Sequence, residues 1–169
     1  MNGNYNSSPK GGEQNRVSVM AYTNLLYHIV FRLKNSAQVI VVDKEEMLYR
    51  YIWGFVENKK GVLYRIGGMP DHIHLLVQLP ATIAVADFVR DLKTSTSVFL
   101  KDNKDSFPKF EGWAKSYCAL SYSSREKDVV VNYIKSQKEH HKRVSFREEF
   151  LVLLKESGVE VDMKYFMVD

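Results

Sequence analysis

Two histidines one residue apart, His72 and His74, offer this sequence its clearest opening for metal chemistry. They stand in the run Met69-Pro70-Asp71-His72-Ile73-His74-Leu75-Leu76-Val77. On a β-strand alternate side chains share a face, so the two imidazoles project together while Ile73 points into the opposite layer. Imidazoles held side by side on a rigid strand suit a divalent ion. The same pattern also describes a half-buried strand that carries two polar residues. Asp71, beside the pair, can orient an imidazole through its second nitrogen or serve as a turn residue.

A second group of reactive side chains lies in Val129-Val130-Val131-Asn132-Tyr133-Ile134-Lys135-Ser136-Gln137-Lys138-Glu139-His140-His141-Lys142. Val130, Ile134 and the stem of Lys138 recur at helical spacing, with Ser123 or Ser124 able to cap the start. Tyr133 and Gln137 are four residues apart and so share one face, which His141 roughly continues. A phenol is a nucleophile or a hydrogen-bonding core group, and a glutamine carbonyl is a neutral oxygen donor. By itself a helical tyrosine is a packing residue. Beside a histidine pair it becomes a candidate nucleophile.

These groups need elements to hold them. β-Branched and aromatic residues predict a strand from Tyr22 to Leu33, in which His28 reads as a satisfied strand residue. Asp43 caps a helix from Lys44 to about Asn58, and Gly61 to Ile66 forms a second strand. Gly67-Gly68-Met69-Pro70-Asp71 is turn chemistry, leading into a strand from His72 to Leu79 that Pro80 ends. Thr82 to about Leu100 has an amphipathic helical pattern, Asp102 to Phe110 reads as a loop, and Trp113 to Tyr122 as a fourth strand. The order βαββαβ plus a C-terminal helix predicts an α+β, ferredoxin-like sandwich: four antiparallel strands with two helices on one face. That architecture hosts many unrelated activities, so function must come from the site.

Taken together, the Met-Pro-Asp approach to the histidine pair and the helix reading Tyr133-Ile134-x-x-Gln137-x-x-His140-His141 resemble the HUH single-strand transposases with one catalytic tyrosine, the insertion sequence 200/605 group. Tyr27-His28-Ile29-Val30-Phe31-Arg32-Leu33-Lys34-Asn35 and Ser145-Phe146-Arg147-Glu148-Glu149-Phe150 extend the likeness, which runs from Tyr22 to about Phe166. The resemblance implies that His72, His74 and Gln137 ligate a divalent ion, Mg2+ or Mn2+, and that Tyr133 is the nucleophile. Two imidazoles and an amide oxygen leave an ion its full charge and open positions for a phosphate oxygen. Tyr133 would then cut single-stranded DNA at hairpin-marked element ends, leaving a 3′-hydroxyl and a 5′-phosphotyrosine that a second strand can reverse. A free phenol, with pKa about 10, is only roughly 0.1% ionised at neutral pH, so a cation or a base must assist. His141, His140 and Asp71 are the accessory candidates. The resemblance further implies a homodimer with composite sites, His72 and His74 of one subunit meeting Tyr133 and Gln137 of the other. A domesticated nuclease acting on hairpin repeats, a non-catalytic nucleic-acid-binding module and a metal-sensing domain are the alternatives.

Composition agrees with a nucleic-acid enzyme. The 169 residues carry a net charge of +4, and the basic excess is concentrated in residues 90–147, with 13 basic against 7 acidic side chains. Arg90, Lys93, Arg125, Lys135, Lys142 and Arg143 are the candidate DNA contacts from that stretch. Tyr117, Tyr122, Phe107 and Trp113 could stack on unpaired bases or belong to the core. A single cysteine, Cys118, excludes an internal disulfide and a multi-cysteine zinc site, which suits a reducing cytoplasm. No stretch has the length of a membrane helix. Residues 1–19, without the apolar centre of a secretory signal, read as a flexible N-terminal extension, and 20–169 as one domain.

Overall fold

The computed structural model describes residues 22–141, 144–167 and 169. The expected extension over 1–19 and the two candidate DNA contacts Lys142 and Arg143 lie outside the described residues.

Four strands, β1 (Leu25–Arg32), β2 (Val62–Met69), β3 (His72–Leu79) and β4 (Cys118–Tyr122), form an antiparallel sheet in the order β2-β3-β1-β4. Strand alternation splits the sheet into two layers. Ile29 and Phe31 of β1 and Ile73, Leu75, Val77 and Leu79 of β3 meet Leu48, Ile52 and Val56 of α1 (Val42–Asn58) and Phe88, Val89, Leu92 and Leu100 of α2 (Val85–Asp102). Burying each such side chain contributes about 1.5–3 kcal/mol, so this layer carries most of the stability.

The other face carries His28, Val30, Arg32, His72, His74 and Leu76. It is covered by α3 (Lys127–Lys135), the short α4 (Gln137–His140) and α5 (Phe146–Glu156). Leu26 and Leu76 pack on Val130 and Ile134 of α3, and Val30, Cys118 and Leu120 pack on Phe146, Leu153 and Leu154 of α5. The two helices expected on one face are α1 and α2, and the C-terminal helical segments cover the other. The histidines are sandwiched between sheet and helices.

Three element boundaries differ from the sequence expectation, each for a physical reason. Gly67 and Gly68 belong to β2 and not to the turn, because other backbone passes too close for a side chain. A Cβ on Gly67 would lie 3.0 Å from Ile134 Cγ2 and 3.1 Å from the Ile134 carbonyl oxygen; one on Gly68 would lie 2.2 Å from the His72 carbonyl oxygen. The turn itself is Pro70-Asp71, held by Val39 N and Ile40 N donating to the Pro70 carbonyl and Leu33 N to that of Asp71. The fourth strand begins at Cys118 and not at Trp113, since the carbonyls of Ala114, Lys115 and Ser116 are taken up by Lys93 Nζ instead of a neighbouring strand. The tyrosine helix breaks at Ser136, dividing α3 from α4.

Candidate active site

His72 and His74 stand on the helix-covered face of β3, opposite Arg32 and Val30 of β1, and both are fully buried. Each has its Nδ1 atom engaged. His72 Nδ1 donates to Asp71 Oδ1 at 2.7 Å, and Asp71 is fixed by the pinned turn. His74 Nδ1 lies 3.0 Å from His28 Nε2, on the neighbouring strand β1. The two Nε2 atoms are buried and have no protein partner. Asp71 thus orients a ring and also makes the turn.

Across from the histidines, Ser123 starts the tyrosine segment, its N and Oγ both bonded to Glu126 Oε2. Val130 and Ile134 bury one stripe of α3 against the sheet, which carries Tyr133 to within 5.9 Å of the His74 ring and 5.7 Å of the His28 ring, measured between centroids. Ser136 interrupts the helix, yet Tyr133 and Gln137 still converge on one atom. The Tyr133 hydroxyl donates to Glu149 Oε1, and Gln137 Nε2 donates to the same oxygen at 2.7 Å. That bond fixes the amide orientation and leaves Gln137 Oε1 buried with no protein partner.

Glu149, from α5, was not singled out as a site residue. Ser145 and Glu148 form a capping box that starts α5, and Glu149 then falls on its apolar face between Phe146 and Leu153. A carboxylate on a core-facing stripe was the available signal, because such a charge is buried only when paired. Its second oxygen, Oε2, lies 2.6 Å from His141 Nε2, while His141 Nδ1 pairs with the Val144 carbonyl. Phe146 stacks on the His72 ring with centroids 4.0 Å apart.

Electrostatics follow from this packing. Burial brings His28 down to about 4, against the pull of Glu149, and holds His74 well below the ordinary histidine range, helped by the neighbouring rings of His28, His72 and His141. Both are therefore neutral at pH 7. Burial also raises Tyr133, and the adjacent Glu149 carboxylate adds to that, so the phenol is held protonated. Glu149 is opposed by burial, but bonds from His141, Tyr133 and Gln137 bring it down to about 2. His141 is lowered by burial and more than recovered by Glu149, for a net rise.

His72 Nε2, His74 Nε2 and Gln137 Oε1 are each buried without a protein hydrogen-bond partner, on facing elements. A buried polar atom left unsatisfied costs about 1–3 kcal/mol, which a bound ion or water would offset. Atoms of His72, His141 and Glu149 also lie within 4.8 Å of one another, an arrangement that could hold a metal ion. The donor set of imidazole, amide and carboxylate suits a divalent metal ion.

The remaining candidates are spread more widely. Arg90 is exposed on α2, the far face, and is engaged by Asp87 and Asp91. Lys93 is spent on three carbonyls. Arg125 and Lys135 are exposed on the tyrosine side of the molecule. Of His140 only the backbone, at the end of α4, is described. Phe107 is core, and Trp113 packs against Phe31 and donates from Nε1 to Thr96. Tyr122 instead lines a cavity of about 600 Å3 shared with His28, Val129 and Tyr133.

The family described as "Transposase IS200 like" matches residues 21–137, which hold the histidine pair, the tyrosine and the glutamine. The chain belongs to the IS200-like transposases. It is 28% identical over 117 residues to the ISDra2 transposase of Deinococcus radiodurans, covering 67% of this chain and 84% of the relative. With the transposase of insertion sequence element IS200 from Salmonella typhimurium it shares 28% identity over 123 residues, covering 70% and 80%. A crystal structure of a D. radiodurans R1 protein assigned as a transposase superposes with a TM-score of 0.55 at 25% identity, covering 76% of this chain and 97% of that one. A REP-associated tyrosine transposase bound to a REP hairpin shares the fold at 15% identity, with a TM-score of 0.55 and coverage of 74% and 73%. Residues after Gln137, Glu149 among them, lie beyond the family match.

Proposed function

We propose that this IS200-like transposase cleaves and rejoins single-stranded DNA at hairpin-marked ends, with Tyr133 as nucleophile and a divalent ion held by His72, His74 and Gln137. The observation that carries the reading is the set of three buried ligand atoms without a protein partner, beside the half-buried Tyr133 ring that stands 5.9 Å from the ring of His74. An ion bound there would draw charge from a scissile phosphate oxygen and hold it for in-line attack.

The chain's own residues account for the rest. Asp71 and Glu149 fix the orientations of His72 and Gln137, so that their ligand atoms face the site. Glu149 Oε1 already accepts the Tyr133 hydrogen bond and is placed to take the proton as the phenolic oxygen attacks phosphorus. The P–O bond to the departing 3′-oxygen breaks as the phosphotyrosine forms, and the reverse attack by a 3′-hydroxyl restores Tyr133. Basic residues flanking the site, Arg125 and Lys135 among them, supply phosphate contacts. The protein works as a homodimer in the cytoplasm. Within one chain Tyr133 stands 5.9 Å from the His74 ring; in the homodimer the same contact made between subunits gives the composite sites the resemblance implies, His72 and His74 of one meeting Tyr133 and Gln137 of the other.

The test is covalent trapping. Wild-type protein with Mn2+ and a single-stranded oligonucleotide carrying the hairpin is expected to give an SDS-stable adduct, and Tyr133→Phe to give none while still binding the hairpin. An adduct in the Tyr133→Phe protein would end the assignment.

A further inference from the structure

The imidazoles of His28 and His74 share one short contact, Nε2 to Nδ1 at 3.0 Å, between neighbouring strands. Two neutral rings in contact place one proton in that bridge, and its position has a consequence on each side. If His28 Nε2 carries it, His74 Nδ1 is the acceptor, and the remaining proton of His74 sits on Nε2. That atom then has no lone pair for a metal. If His74 Nδ1 carries the proton, His74 Nε2 is a free acceptor and His28 holds its own proton on Nδ1.

We infer that His28 is a positioning residue for the metal site: by accepting from His74 Nδ1, it selects the one tautomer in which His74 can ligate an ion. The inference rests on the proposed ligand role of His74. His28 therefore does for His74 what the Asp71 carboxylate does for His72, with a neutral acceptor in place of an anion. Its burial supports this, since a fully buried strand residue on the helix-covered face would ordinarily be apolar. Its Nδ1 has no protein partner, and its ring lines the cavity of about 600 Å3 beside Tyr133. An ion on His74 Nε2 needs the lone pair of that atom, which puts the bridging proton on His74 Nδ1 and the unbridged one on His28 Nδ1.

Two measurements test the inference without reading cleavage. In a Mn2+ titration followed by EPR, His28→Phe keeps a flat ring but removes the acceptor, and affinity is expected to fall about tenfold or more. His28→Gln, whose amide oxygen can accept from His74 Nδ1, is expected to retain most of it. Wild-type affinity in His28→Phe would overturn the inference, and so would equal losses in both variants, because volume and not hydrogen bonding would then be the cause. Nitrogen-15 NMR of histidine-labelled wild-type protein with Mg2+ is expected to show His28 protonated on Nδ1; a proton on its Nε2 would overturn the inference even if the variants fail to fold. His72→Ala separates the two levels. If the wild-type protein and His72→Ala bind Mn2+ alike, the ligand assignment itself fails; if His72→Ala loses binding and His28→Phe does not, only the role of His28 fails.

Discussion

The hydroxyl of Tyr133 donates to Glu149 Oε1, the oxygen that also accepts from Gln137 Nε2. One carboxylate therefore restrains both the proposed nucleophile and a proposed metal ligand, from a helix that follows them in the chain. It helps to hold the phenol in its protonated form.

Glu149→Gln keeps the side-chain shape and a hydrogen-bonding oxygen for Tyr133 but removes the charge. Adduct formation is expected to slow by about 100-fold, the lower end of what a positioned base contributes. Hairpin affinity should change little. A single-turnover rate equal to or above that of the wild type would show that the carboxylate only restrains the phenol.

Removing a ligand atom should weaken metal binding in order of ligand strength. His72→Ala and His74→Ala are expected to reduce Mn2+ affinity more than Gln137→Ala, since imidazole binds these ions better than a neutral amide. Isothermal titration ranks them. Cleavage that persists undiminished in excess chelator would remove the metal from the mechanism.

Acid stability reports the buried neutral histidines. His28 lies at about 4 in the folded protein and at the ordinary 6.5 when unfolded, so the unfolded chain binds the extra proton between those values. The associated stability is complete above pH 6.5 and is lost as pH falls through about 4, a loss on the order of 3 kcal/mol. Urea unfolding of metal-free protein from pH 7 to pH 4 should show that decline, and His28→Phe should flatten it. An unchanged slope in the variant would contradict the assignment.

Subunit mixing reads where a site is assembled. A His72→Ala/His74→Ala protein mixed with Tyr133→Phe is expected to regain cleavage, because one of the two composite sites in each mixed dimer is then intact. No rescue after verified subunit exchange would show instead that each site is built within one chain.

Sequence alone determined the strand bearing His72 and His74, because a period of two with Pro70 and Pro80 at its ends leaves little choice of register. It also determined that Tyr133 and Gln137 share a face, which survives the break at Ser136 because both still reach Glu149 Oε1. Helical and strand periods are local, so they are legible in a single chain of residues. The tertiary structure alone decided which partners those groups have. His28 meets His74 across 46 residues, and Glu149 meets Tyr133 and His141 from α5. Neither pairing follows from spacing, since strand order and helix placement arise from how apolar faces pack, and the same packing leaves His72 Nε2, His74 Nε2 and Gln137 Oε1 buried without a protein partner.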